Sequence, residues 1–539
     1  MVELSGGIEV AQETTAEQSI ARAPTAVCAF VGRTLRGPVN RPVTVTSFAE
    51  YQSVFGGLWQ PSPLSYAVEQ FFDNGGVTAI IVRVVNGARP ATLSLACGDE
   101  TLTLVAAAPG TREFLRAAVD YDGIGINETD RFNLVLQRVR APGSEHIEDQ
   151  EIYRRLSVRP DSSRYVASVL AGSALATVRG AVPALRPDRT PHPGGVGLAG
   201  YTGSNSDGDD GDPLTDYDVI GSAAEGRGIF ALAGGPLFNF LYVPPLARQA
   251  DIGASTLLVA SRFCRDHRAM LIVDPPAAWD CAEAAVAGLR DWPFASEHAL
   301  MYFPRVLAFD KLRGRFESFA PGAAVAGMIA RADATCPVWT PAQGDDAILR
   351  PGFRPLCLVG PADRTRLAHA GVNVLQPVRS PTAQEPARPR TLAGAIARSP
   401  AARWLGAKRL ALFVVTSIER GTRWMLFEPN EPRTWRRATR QLERFFGSLE
   451  DEGAFADHET QDRWFVVCDE RVNRDRERGL GVINLLFGIG AGRPGEFQAW
   501  LVSHRAGESR VQSVTLNRLQ LDGLHVERAV EDLVRRAAG

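Results

Sequence analysis

Lysine is almost missing from this chain of 539 residues: only Lys311 and Lys408 occur, so nearly all of its 59 basic residues are arginine. Against 61 acidic residues they leave a formal net charge of −2, which excludes a global electrostatic pull toward nucleic acid or an anionic membrane. Charge of functional weight must then be local. No apolar run approaches the roughly 18 residues that span a bilayer. The richest stretches, Leu237–Leu246 and Ala269–Pro275, are broken by proline or charge. Met1–Gly7 lacks the basic and apolar regions of a secretory signal, so neither membrane insertion nor conventional export is expected.

The seven cysteines (28, 97, 264, 281, 336, 357 and 468) include no C-x-x-C pair and no finger-like spacing with histidine. Cys28 and Cys468 sit inside apolar runs, which points to buried thiols in a reducing compartment. Catalytic patterns are missing too. There is no P-loop, no G-x-S-x-G and no H-E-x-x-H. Gly195–Gly200 matches G-x-G-x-x-G, but His192-Pro193 precedes it where a dinucleotide site needs a strand, and a polar loop follows where it needs a helix. Aligning Asn205, Asp207 and Asp209 with an EF-hand loop puts Asp210 at the glycine position and Asp216 where a bidentate Glu belongs. That acidic stretch reads as a solvated loop. Asp274 and His298 suggest two members of a triad without a serine to complete it. No catalytic, cofactor-binding or metal-ligating residue is assigned.

What is present is periodicity. At ~100–200 residues per domain the length argues for three or four domains. Residues 1–20 are polar with scattered apolar positions such as Ile8 and Val10, and form an N-terminal arm. An α/β block over 21–90 follows: a strand at Ala26–Val31, a shorter one at Val43–Thr46, a helix opened by Ser62-Pro63 and ended by Asn74-Gly75-Gly76, then a strand at Val77–Val85. Short alternating segments over 91–180, best at Thr101–Val105 and Phe132–Val139, predict a β-rich insertion. Pro, Gly and Asp over 181–216 predict an exposed linker. Strand and helix patterns alternate over 217–380, with strands at Phe238–Val243 and Ala269–Val273 and helices at Ser255–His267 and Trp279–Leu289, as in a mostly parallel α/β sheet. A last ordered block spans 381–503, and 504–539 forms a tail with a helical pattern at Leu524–Ala537.

Two features of the last block suggest interaction. Over Arg433–Leu449, Trp435, Ala438, Leu442, Phe445, Phe446 and Leu449 share one helical side, and Arg433, Arg436, Arg437, Arg440 and Arg444 share the other. The bland reading is a solvated face. The sharper one is a dock for an acidic protein surface or for phosphates, with nucleic acid disfavoured because no aromatic-interleaved groove accompanies the stripe. Glu496–His504 reads as a strand hung on the glycine-rich Gly488–Gly495, able to pair within its own subunit or with a neighbour.

The run Ala23–Val27, Phe30–Arg33, Arg36–Asn40, Val45–Phe48, Val54–Gly57 and Phe71–Gly76 resembles the N-terminal signature of contractile tail sheath proteins. Ser417–Trp424, Phe427–Asn430, Cys468–Glu470 and Pro494–Phe497 resemble its C-terminal counterpart, and Asp216–Gly221 with Tyr302–Arg305 lies compatibly between. Ser5–Val10 departs from the family's usual first strand by lacking its Pro and Tyr. The resemblance implies a multidomain chain, α/β and α+β: a subtilisin-like middle domain without protease activity, the β-rich insertion, and a C-terminal α+β assembly domain with extended terminal arms. It implies a homo-oligomer stacked in helical rings around an inner tube protein, with baseplate and terminator or cap proteins as partners and no cofactor. Assembly would take place in the cytoplasm, in a phage tail or phage-tail-like particle. Ile8 and Val10, with Phe497, Ala499 and Leu501, would be strand arms between subunits, and the arginine stripe would face the tube or a neighbouring subunit. The competing readings are a subtilisin-like hydrolase and a static shell or surface-layer protein.

Overall fold

A computed structural model describes residues 19–191, 200–203, 208–342, 344–375, 388–397, 400–455, 463–490 and 496–517. They fall into two compact units. The larger holds described residues of 26–335 and 342–386, and the smaller holds those of 1–25, 336–341 and 387–539.

The larger unit opens with β1 (Cys28–Gly32), buried along its whole length, and the short β2 (Val43–Val45). Helix α1 (Phe48–Phe55) starts where Ser47 Oγ accepts from the Glu50 N–H at 3.2 Å. Helix α2 (Pro63–Asp73) starts as its sequence suggests: Ser62 Oγ accepts from the Ser65 N–H at 3.2 Å, and Pro63 has no N–H to leave unpaired. Strand β3 (Ala79–Arg83) follows.

The chain then leaves for the β-rich insertion. Strands β4 (Pro90–Cys97), β5 (Glu100–Pro109), β6 (Phe114–Asp120), β7 (Arg131–Val139) and β8 (Ile147–Ser157) precede α3 (Val166–Leu170), β9 (Ala176–Arg179) and β10 (Thr202–Gly203). Two antiparallel sheets, ordered β4-β5-β9 and β10-β6-β7-β8, enclose one core that includes Leu93, Leu104, Phe132 and Leu136. Alternate residues of β4 are buried, the period-2 pattern of a half-buried strand. The exposed linker expected over 181–216 is not what its described residues form. The Asp188 N–H donates to the Ala96 carbonyl at 2.7 Å, Thr190 Oγ1 accepts from the Val119 N–H at 2.9 Å, and Asp210 accepts from the Thr111 N–H at 2.9 Å. Polar residues suited to water here satisfy the backbone of neighbouring strands instead.

On its return the chain forms α4 (Asp216–Ile220), β11 (Phe240–Tyr242), α5 (Ala254–Asp266), β12 (Met270–Val273), α6 (Ala282–Gly288) and β13 (Ala299–Phe303). A hairpin, β14 (Val306–Asp310) with β15 (Arg315–Phe319), leads to α7 (Gly322–Thr335), β16 (Arg354–Pro355), α8 (Pro361–His369) and β17 (Val372–Val374). Seven strands make one sheet in the order β17-β13-β12-β11-β1-β3-β2. All its pairings are parallel except β2 with β3. The 21–90 and 217–380 segments, expected as separate domains, are therefore one: Cys28 lies opposite Phe240 on one side and Ala79 on the other. Across the sheet's helices, α7 meets α2 at Gly327, where a Cβ would stand 2.2 Å from the Phe71 carbonyl.

The smaller unit contains α9 (Pro400–Arg403), α10 (Leu405–Gly421), α11 (Pro432–Asp451), β18 (Trp464–Val467), α12 (Asp475–Gly479), β19 (Ile483–Gly490), β20 (Glu496–Arg505) and β21 (Glu508–Asn517). The four strands form an antiparallel sheet in chain order. Helix α11 covers it: Phe446 stacks on Trp464 at 5.2 Å and meets Phe487 at 6.2 Å. The tail expected from 504 onward therefore begins with a strand, and the helical pattern at Leu524–Ala537 lies outside the described residues. Among the described residues no helix is long and apolar enough to cross a membrane.

Candidate assembly surfaces

A doubly wound sheet holds ligands beyond the carboxyl ends of its strands, where the strand order reverses. Here that is the crevice between β1 and β11. Tyr66, Tyr242, Pro244, Arg248 and Arg305 are among the residues lining a cavity of about 30 Å³ there, room for about one water. The Arg248 guanidinium lies against the rings of Tyr66 (4.9 Å) and Phe319 (4.7 Å) and pairs with the fully buried Asp310 at 2.7 Å. The crevice is filled by the chain's own side chains. Beside it, Asp274 accepts from the Tyr242 hydroxyl (2.7 Å) and the Gly322 N–H (2.8 Å), and burial lifts its carboxyl to about 6 against the pull of those bonds. His298 is not near. Asp274 follows the carboxyl end of β12 and His298 precedes the amino end of the parallel β13, roughly 13 Å of strand away at ~3.3 Å per residue. The structure does not bring the two together.

The second surface is the sheet of the smaller unit. Phe497, Ala499 and Leu501 on β20 are 2%, 0% and 1% exposed. Each has a partner on both sides: Phe497 faces Gly490 and Leu516, Ala499 faces Gly488 and Val514, and Leu501 faces Leu486 and Gln512. The strand, expected to pair within its own subunit or with a neighbour, pairs on both sides within this chain. Both its backbone edges are taken by β19 and β21, and these three side chains are core. The outer edges of the sheet are β18 and β21, and it is β21 that is long. Sequence reading missed it, although Ala506-Gly507, with Gly507 at φ 84°, is a turn between two strand-like runs.

Ile8 and Val10 lie outside the described residues. The first described residues, from Ser19 on, are held on α10. Ile20 packs where a Cβ on Gly421 would touch it at 2.9 Å, the Ala23 N–H donates to Ser417 Oγ at 2.9 Å, and Arg22 forms an ion pair with Glu452. The segment before β1 therefore belongs to the smaller unit, anchored on that unit's own helices.

The third surface is the outer face of α11. Trp435, Ala438, Leu442, Phe445, Phe446 and Leu449 are all buried, and Arg433, Arg436, Arg440 and Arg444 are exposed. Arg437 differs: it lies 4.2 Å from the centre of the Trp424 ring and 3.4 Å from Glu428. Arg433 sits in the first turn, where the helix dipole disfavours positive charge. Glu431 at the N-cap and Glu428 offset part of that cost. The exposed Glu443 flanks the stripe, which makes the face less uniformly positive than its arginines alone suggest.

No protein-family model matches this sequence, and no curated protein does either. Solved structures do. A sheath tail protein from Listeria innocua is similar at a TM-score of 0.55 and 13% identity, over 93% of this chain and 97% of its own. The sheath complex of an extracellular contractile injection system, PVC, in its contracted state is similar at a TM-score of 0.52 and 15% identity, over 92% and 96%. Across nearly its whole length, this mixed α/β chain of several sheets has the fold of a contractile tail sheath protein.

Proposed function

We propose that this chain is the structural subunit of a contractile sheath, polymerising helically around an inner tube and contracting to drive that tube through a target envelope. The observation that carries the reading is the likeness to two sheath proteins over more than nine-tenths of every chain involved. That span takes in the insertion, the parallel sheet and the terminal unit, beyond a single common α/β core. We read the larger unit's sheet as the family's subtilisin-like scaffold, and its crevice, filled by Arg248, as a place where no substrate is received. Residues 381–503 are then the assembly domain, and the baseplate and a terminal cap its partners at the two ends of the sheath. Assembly in the cytoplasm, as a phage tail or phage-tail-like particle, accords with seven free thiols.

Contraction requires subunits to slide over large interfaces without detaching. Strand addition meets this need, because main-chain hydrogen bonds persist while hinges absorb the motion. The N-terminal arm with Ile8 and Val10 supplies one strand, and the β20–β21 hairpin supplies the edge that receives it. Deleting residues 1–15 should abolish long sheaths and leave a folded monomer. The arginines of α11 face the inner tube or an adjacent subunit, and Arg437→Glu with Arg440→Glu should impair assembly on the tube. The whole reading is tested by electron microscopy of particles from producing cells with immunogold against this chain. Labelled helical cylinders of two lengths and widths are expected; labelled flat sheets or monomers alone would overturn it.

A further inference from the structure

The insertion leaves the sheet and returns to it through one narrow stem. After β3 the outgoing chain pairs with the chain that comes back toward α4. The Arg89 N–H donates to the Asp209 carbonyl at 3.0 Å, the Asp209 N–H donates back to the Arg89 carbonyl at 2.8 Å, and the Asp212 N–H donates to the Asn86 carbonyl at 2.8 Å. Both sides of the stem turn on glycine. Gly87 and Gly211 stand at φ 67° and 72°, and a Cβ on Gly211 would lie 2.1 Å from the Asn86 carbonyl oxygen. Beyond the stem the insertion packs on itself. Its core, from Ala91 to Ala176, draws every one of its buried residues from the insertion. Two chain ends side by side and a separate core are the conditions under which a segment can move as a body.

Charge ties the insertion down. Three arginines reach across from the sheet side, Arg33 and Arg36 after β1 and Arg83 at the end of β3. Arg33 donates to the carbonyls of Asp210 (2.9 Å) and Gly211 (2.8 Å), Arg83 donates to that of Pro109 (2.7 Å), and Arg36 pairs with Glu148 on β8. Behind that pair Glu113 lies 3.7 Å from Arg138, which in turn lies 3.6 Å from Asp149 and 4.0 Å from Glu148. Arg36, Arg83 and Glu113 are all buried. The cluster is only partly satisfied. Among the described residues, Nε of Arg36, Arg83 and Arg138 and Oε1 of Glu113 are buried without a hydrogen-bond partner. Burial pulls Arg83 down to about 10 and raises Glu113 against the attraction of three guanidiniums, so the closed joint disfavours the ionised groups it encloses. Closing costs desolvation, and losing one partner strands a buried charge. Such a joint closes by a small margin and depends on its pairs.

We propose that the insertion β4–β10 is a hinged module: the glycine stem is its hinge, and the Arg36–Glu148 pair, backed by Arg138 and Glu113, is the lock that holds it on the sheet. Opening breaks the lock and spares the insertion's own core, so the module swings as a body. A sheath subunit built this way keeps the contacts its insertion makes while the sheet beneath it turns. The hinge belongs to the single chain and rests on the proposed contraction only for that use.

The test is amide exchange of the full-length chain, read by mass spectrometry under mild guanidinium. In wild type the stem amides of Arg89, Asp209 and Asp212 are expected to open ahead of those that pair β6 with β7, and with a smaller denaturant dependence, as a sub-global opening does. The Arg36 side chain bonds Glu148 and the Ser53 carbonyl and touches neither side of the stem. Arg36→Met should nonetheless speed stem exchange roughly tenfold or more and leave β6–β7 unchanged, and Glu148→Gln should do the same from the other side. A change confined to the peptides around residues 36 and 148 overturns the lock. So does no change, or equal acceleration of β6–β7. Stem and β6–β7 amides that open together in wild type overturn the hinge, and that measurement decides even where a variant fails to fold. Helical cylinders in the microscope with such joint opening would remove the hinge and leave the sheath standing; separate opening without cylinders would do the reverse.

Discussion

Strands β8 and β21 each close one side of a four-stranded antiparallel sheet, and they are 11 and 10 residues long. They treat that edge in opposite ways. β8 carries Glu148, Asp149, Glu151, Arg154 and Arg155, its register with β7 shifts twice, and Arg155 stands at φ 54°. At its far end the Ser157 N–H donates to the Arg164 carbonyl and Arg164 returns a bond to the Arg154 carbonyl, both at 2.9 Å. Charge, bulge and a covering loop are three devices that keep a sheet edge from recruiting another strand. β21 has neither bulge nor covering loop among its described residues, and its two charges, Glu508 and Arg510, sit at the end beside the turn. It runs ten paired positions against β20 without a shift, and beyond Arg510 it has neither charge nor proline. Among the described residues one edge is closed and the other is left open, which is the difference expected if only one of them is meant for another chain.

The comparison breaks most visibly if a guard is moved onto β21. Val511→Lys with Ser513→Lys should reduce sheath assembly by at least about tenfold, since edge lysines block strand addition, while the monomer's melting temperature shifts little because neither side chain is core. The matching change on β8, Ile152→Lys at a position 56% exposed, should leave assembly unaltered. Cylinder counts by electron microscopy for both variants decide it. Equal effects, or none, would mean that β21 is not the receiving edge.

A smaller effect is expected from removing guards. Asp149→Thr with Arg154→Thr strips two charges from β8, and both substitutions favour strand geometry. Light scattering should show concentration-dependent self-association of an otherwise folded chain. Glu148 is left in place because it pairs with Arg36, and Glu151 because its carboxylate accepts from the Ala174 N–H at 2.9 Å. If the variant stays monomeric, the shifted register and the covering loop suffice, and charge is not what closes this edge.

How far such differences are legible in sequence depends on their range. The start of α2 is written locally, in Ser62-Pro63 and the apolar spacing after it, and the same holds for the buried stripe of α11. Which strand neighbours β1 is not local. Its partner β11 lies some 200 residues away, across an insertion that hides the single sheet, and a parallel strand carries no mark of its neighbour. The same limit explains β20. Phe497, Ala499 and Leu501 alternate as any half-buried strand does, and only the pairing with β21 shows that they are core. Nor does sequence foretell that Phe309 and Phe316 stay outside: an aromatic in an alternating strand is read as core by default.

The finest distinction between the two edges is protonation. On β20, beside the turn into β21, the fully buried ring of His504 is held by Thr422 Oγ1 at Nε2 and Ser509 Oγ at Nδ1, both at 2.9 Å. Burial pushes its pKa down to about 4, and the nearby Arg423, itself paired with Glu419 at 2.9 Å, acts in the same direction. The fold therefore prefers the neutral ring. That preference contributes fully above the ordinary value of about 6.5 and is lost as pH falls through about 4, up to about 3 kcal/mol at ~1.4 kcal/mol per unit. β8 contains no histidine, so this loosening belongs to the β20–β21 hairpin. Amide exchange across β20 and β21 should quicken between pH 6.5 and 4, after correction for the intrinsic rate, and His504→Gln should flatten that dependence. Equal pH profiles for the two chains would show that the ring does not control the hairpin and that the open edge is held by its backbone bonds alone.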